Sequence, residues 1–91
     1  MFRLDFQQLA HRQIVKIARK NPGVARDIKE KIQWLVENAD QLDLEKMHGH
    51  TEHSLHSGQY RILYSIDRTQ QQIVIEDIDK HDAAYRKLKR R

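Results

Sequence analysis

A chain of 91 residues has room for one domain, and a single-domain reading is expected. Lys and Arg number 17 against 13 Asp and Glu, with a pI near 9.6. Such a balance points to nucleic acid or an acidic partner, or else to no more than a charged, solvated surface. There is no cysteine for a disulfide or thiolate zinc site, and no apolar run approaches the roughly 20 residues of a membrane span. Met1 to Phe6 alternates without a signal-peptide hydrophobic segment, so a soluble, cytoplasmic chain with no membrane partner is expected.

Phe2, Leu4 and Phe6 alternate with Arg3 and Asp5, the period of a half-buried strand. From Gln7 the period changes, and Ala10, Ile14, Ile17 and Ala18 fall on one helical stripe. Asn21 suits a helix N-cap and Pro22 the first helical position. Val24, Ile28, Ile32, Leu35, Val36 and Ala39 then form one apolar face, with Trp34 at its edge. Core packing is the ordinary expectation for Trp34, and contact with a partner segment the sharper one. Leu42 to His50 reads as a linker bending at Gly49. Strands are expected over 52–56, 60–66 and 73–78, with turns at Ser57-Gly58-Gln59 and Asp67 to Gln70. Residues 81–91 are expected to form a short helix or a frayed tail, in which Arg86, Lys87, Lys89, Arg90 and Arg91 crowd together.

The expected architecture is therefore α+β: an N-terminal strand, a helical hairpin, a three-stranded antiparallel meander and a short C-terminal helix, all in one domain over 1–91. The helices cover one face of the sheet and leave the other open to a ligand.

If Gly58 and Gln59 make a two-residue turn, Ser57 pairs with Tyr60, His56 with Arg61, Leu55 with Ile62, Ser54 with Leu63 and His53 with Tyr64. Alternation then puts Glu52, Ser54, His56, Arg61 and Ser65 on one face, and Leu55, Tyr60, Ile62, Tyr64 and Ile66 on the core side. A histidine beside an arginine suits a phosphodiester: the guanidinium holds phosphate oxygens in pairs, and an imidazole moves protons near neutral pH. From pattern alone, an ordinary exposed cross-strand pair is the preferred reading of the same two residues. His48, His50, His53 and His56 invite a zinc reading, but they straddle a glycine bend and a strand, so their spacing implies no convergence. No glycine-rich phosphate loop and no serine nucleophile elbow is present, and neither metal nor cofactor is expected.

Lys46-Met47-His48-Gly49, followed by Ser57-Gly58-Gln59-Tyr60-Arg61-Ile62-Leu63-Tyr64-Ser65-Ile66-Asp67, resembles the RelE/ParE toxin superfamily. Its members carry a Lys-Leu-basic-Gly element and later a glycine, Tyr-Arg, two aliphatic residues and a second tyrosine. The ending Asp79-Lys80-His81-Asp82-Ala83-Ala84-Tyr85-Arg86 is similar to the family's closing basic and Tyr-Arg pattern. The resemblance implies a RelE-like microbial ribonuclease fold and the toxin of a type II toxin–antitoxin system. It further implies a metal-independent endoribonuclease, an mRNA interferase that cuts mRNA in the ribosomal A site and is silenced by a cognate antitoxin. By position, Arg61 matches the phosphate-stabilising arginine and Tyr85 the C-terminal tyrosine. His81 and His56 fall on positions that are basic in relatives, and Glu45 lies near the catalytic glutamate of the YoeB branch. Lys46, Lys80, Arg86, Lys87, Lys89 and Arg90 would bind mRNA and rRNA. Glu52 and Ser54 depart from the pattern, standing where the RelE branch carries lysines. That departure shifts acid–base work toward His56 or His81. A ParE-like gyrase inhibitor without nuclease chemistry shares the Tyr-Arg hairpin and is the alternative; a non-catalytic nucleic-acid-binding module is a third.

Overall fold

A computed structural model describes residues 2–41 and 52–80. β1 (Arg3–Phe6) leads into α1 (Gln8–Lys20), α2 (Pro22–Asn38) and one 3-10 turn (Ala39–Gln41). β2 (Glu52–Ser57), β3 (Tyr60–Asp67) and β4 (Gln72–Lys80) follow. The expected linker over 42–50 and the expected C-terminal helix fall outside the described residues. What is described is α+β, as the sequence periods imply.

α1 buries Ala10, Ile14 and Ile17, while Arg19 and Lys20 close its last turn, where cations meet the negative end of the helix dipole. Asn21 caps α2: its side-chain Oδ1 accepts a hydrogen bond from the Val24 N–H at 3.3 Å, and Pro22 follows without losing a needed donor. α2 buries Ala25, Ile28, Ile32, Leu35 and Val36. Trp34 does not join them. It is 45% exposed, with the Lys31 ammonium 5.7 Å from its ring centroid, so the core expectation for this residue fails. At this point on the helix the ring has turned past the buried stripe, and a cation covers it instead.

The strands make one sheet in the order β1-β4-β3-β2. β2 and β3 pair in the expected register, Ser57 with Tyr60 through Glu52 with Ser65. Gly58 takes the first loop position with φ +58°, a left-handed value that glycine adopts without a Cβ clash. β1 is not a separate flap: it joins the sheet parallel to β4, Leu4 beside Ile73 and Phe6 beside Ile75.

β4 holds the feature that shapes the site. Leu63 pairs with Asp77 but Tyr64 pairs with Ile75, so Glu76 is an extra, bulged residue. In an unbroken strand Ile75 and Ile78 would face opposite ways. The bulge resets the alternation, so both lie in the core at 0% and 1% exposure. The same reset turns Asp77 and Asp79 toward the face away from the helices. That face is less open than the sequence suggests, for Leu63 and Asp77 are both buried there.

Candidate active site

Three cross-strand partners form a row on the face away from the helices: His56 on β2, Arg61 on β3 and Asp79 on β4. Directly opposed side chains of this kind stand about 5 Å apart at Cβ. The next row is Ser54, Leu63 and Asp77. Arg61 leans back toward it, its Nη1 donating to Ser54 Oγ at 3.1 Å. The guanidinium is thus held along the sheet at one nitrogen, while its Nε is buried and has no hydrogen-bond partner. A buried, unsatisfied donor costs about 1–3 kcal/mol. Paired contact with phosphate is the geometry guanidinium favours. Ser54, noted in the sequence for not being a lysine, therefore positions the arginine.

His56 is exposed beside Arg61. Asp79 is half-buried and accepts a hydrogen bond on Oδ1 from the Lys80 N–H at 2.8 Å. The row sets one cation between an imidazole and a carboxylate. It can orient a phosphodiester and offers proton acceptors on either side of it.

β4 is anchored where it carries Asp79. Beyond Phe6, β1 no longer covers its edge, and Gln13 of α1 takes over there. Gln13 Nε2 donates to Asp77 Oδ1 at 2.8 Å, and Gln13 Oε1 accepts from the Ile78 N–H at 2.6 Å. One amide thus satisfies a buried carboxylate and a strand edge together. Gln13, Asp77 and Asp79 were not foreseen. Only the bulge brings the two acids to this face, and no local pattern announces it.

The histidines separate. His53 lies on the core side, buried against Tyr64 with ring centroids 5.5 Å apart, whereas His56 is on the opposite face. These two cannot share one metal ion, and His48 and His50 are outside the described residues. Tyr64 is a core residue, and burial raises its phenol above the ordinary pKa of 10.0. Tyr60 packs against the core from its edge. Lys80 pairs with Tyr60, so it leaves Arg61's row and lines a groove on the helix side. That groove, about 680 Å³, runs between α1, the start of α2 and the β2–β3 turn, with Lys16 and Lys20 on its helical wall. The expected roles of Glu45, Lys46, His81, Tyr85, Arg86, Lys87, Lys89 and Arg90 fall on residues outside the described ones.

No protein-family model and no curated protein sequence matches the chain. Solved structures do. The isolated RelE toxin of E. coli superposes with a TM-score of 0.71 at 18% identity, covering 99% of this chain and 98% of that one. A doubly substituted E. coli RelE in the free state gives 0.69 at 21% identity, over 92% and 87% of the two chains. The intact E. coli RelBE toxin–antitoxin complex gives 0.67 at 20% identity, over 88% and 96%. Across nearly the whole chain, and with about four residues in five replaced, the sheet order, the helical hairpin and the Arg61 strand are arranged on the RelE-like toxin fold.

Proposed function

We propose that this chain is the toxin of a type II toxin–antitoxin system and an endoribonuclease that cuts mRNA on the ribosome. The observation that carries this reading is Arg61, tied at one nitrogen by Ser54 and set between His56 and Asp79 in one cross-strand row, on a RelE-like fold. The RelE of the RelBE complex is a toxin with an antitoxin partner, and the same pairing is proposed here.

In the proposed reaction the ribose 2′-OH gives its proton to a base and its oxygen attacks the adjacent phosphorus. The P–O5′ bond breaks and the departing 5′-oxygen takes a proton from an acid, leaving a 2′,3′-cyclic phosphate and a 5′-hydroxyl. Arg61 holds the non-bridging oxygens and stabilises the charge that builds on them. His56 is the described candidate for moving a proton, and Glu45, His81 and Tyr85 are the others. Lys46 and the C-terminal Arg86, Lys87, Lys89 and Arg90 would meet RNA phosphates, with Lys80 beside them. No step calls for a metal or cofactor. The site of action would be the cytoplasm, where mRNA is translated; among the described residues no helix is long and apolar enough to cross a membrane.

The test is a defined cell-free translation reaction, with mRNA 5′ ends mapped by primer extension and naked mRNA as control. Cuts at A-site codons, confined to translating ribosomes and lost in Arg61→Ala, are expected. Intact mRNA with undisturbed translation would overturn the reading and direct attention to gyrase supercoiling.

A further inference from the structure

β1 and β2 form the two edges of the sheet. Along β1 the Arg3 N–H donates to the Gln71 carbonyl at 2.7 Å and the Gln7 N–H to the Ile75 carbonyl at 2.9 Å. In a parallel ladder this register turns the backbone of Arg3, Asp5 and Gln7 toward β4. Leu4 and Phe6 therefore aim their N–H and C=O groups outward, at an edge that no other described strand covers. Leu4 is 38% exposed. Beside it a groove of about 230 Å³ runs between β1 and α2, lined by Leu4, Phe6, Lys29, Ile32 and Gln33. Sheet edges are ordinarily blunted by proline, a bulge or repelling charge. β1 has neither proline nor bulge, and its two charges, Arg3 and Asp5, are exposed and of opposite sign. Their hydrogen-bond partners among the described residues are neutral: the Gln70 carbonyl for Arg3 and the Gln72 amide for Asp5.

We propose that the β1 edge is the interface with a second copy of this chain, the two β1 strands pairing antiparallel about a two-fold axis through Leu4. Leu4 then meets Leu4 of the second copy through two backbone hydrogen bonds. Arg3 falls opposite Asp5 of the second copy, and Asp5 opposite its Arg3, so both cross-strand pairs attract. Moving the axis by one residue reverses this. Through Asp5 it opposes two carboxylates, through Arg3 two guanidinium groups, and like charges directly opposite destabilise. Charge thus selects one register, and the strand that satisfies it is β1 itself. On the helix side the two Leu4 side chains meet beside the groove and cover apolar surface there. The four strands of each copy continue into one sheet, with the helices of both copies on the same face. The row of His56, Arg61 and Asp79 lies on the other three strands and stays uncovered, so this pairing is independent of the nuclease reading. A strand of four residues is too short to bury the roughly 1,200–2,000 Å² of a stable interface, so the dimer is weak.

Sedimentation velocity of the full chain, from about 10 μM to about 1 mM, reads the association directly. Wild type should pass from monomer to dimer within that range, and potassium chloride should weaken the dimer by screening its two charge pairs. Arg3→Asp alone, or Asp5→Arg alone, sets like charges opposite each other and should stay monomeric. An equimolar mixture of these two variants restores opposite charges across both pairs and should dimerise as wild type does. Leu4→Pro removes an outward N–H without touching a bond to β4, so it should stay folded by circular dichroism and be monomeric. If Leu4→Pro unfolds, the charge variants decide, since both positions are exposed. Wild type that is monomeric at about 1 mM overturns the proposal and leaves the edge to a strand of another protein. A dimer that survives in Leu4→Pro overturns it as well, as does a mixture of folded charge variants that stays monomeric.

Discussion

α1 and the far face of the sheet distribute their charge in different ways. α1 presents four exposed cations without an acid among them. Arg61 stands between its cross-strand partners His56 and Asp79, with Ser54, Leu63 and Asp77 in the next row, so a single cation shares its row with a carboxylate. Charge in quantity gives affinity and long-range attraction. Charge at one fixed point, as at Arg61 held by Ser54, suits stabilisation of charge that develops in a transition state. The nuclease reading proposed above places the chemistry on the sheet face and not on the most basic surface of the described residues. A search for the most basic surface would have selected the helix and missed the arginine.

Arg61→Ala should break the comparison most sharply. Loss of a single oxyanion-stabilising donor costs on the order of 10²–10³ in rate, so cleavage and growth arrest should vanish. Antitoxin co-purification and thermal stability should change little. Arg61→Lys should restore little, because an ammonium lacks the planar fork that holds two oxygens. Recovery of wild-type cleavage by lysine would mean that Arg61 supplies charge alone.

Gln13→Ala asks whether the two layers are joined by the amide that spans them. It leaves Asp77 and the Ile78 N–H without that partner, and a loss of about 1–3 kcal/mol in urea unfolding is expected. Gln33→Ala, on the exposed face of α2, should fall within about 0.5 kcal/mol of wild type. Equal losses in the two variants would contradict the anchoring role.

Tyr64 gives a smaller effect with a defined sign. Its folded pKa is raised by burial, so the folded state holds the phenolic proton more tightly than the unfolded chain does. Its contribution is complete below pH 10.0 and is lost as pH climbs through and beyond that value. Urea melts from pH 9 to 11 (the ordinary tyrosine range) should show stability falling at the alkaline end, with a shallower fall in Tyr64→Phe. Trp34→Phe, which keeps an apolar ring and weakens only the contact with Lys31, should have the least effect, under about 1 kcal/mol.

The parts of this architecture written in adjacent residues were legible beforehand. Asn21-Pro22 marked the start of α2, and Gly58-Gln59 fixed the pairing that sets His56 against Arg61. What stayed hidden depends on residues far apart in the chain. The parallel pairing of β1 with β4 joins Leu4 to Ile73, and nothing local encodes it. The bulge at Glu76 lets Ile75 and Ile78 both face the core, which strict alternation over the expected strand 73–78 does not allow. With the bulge unseen, Asp77 and Asp79 could not be assigned a face, nor Gln13 a partner.

The most direct test of the central claim uses two mRNAs on programmed ribosomes, identical except for one 2′-O-methyl group at the nucleotide cut in the natural message. The account predicts that the unmodified mRNA is cut, leaving a 2′,3′-cyclic phosphate, and that the methylated one survives intact. Cleavage of both would contradict attack by the ribose hydroxyl, and cleavage of neither would contradict the nuclease itself.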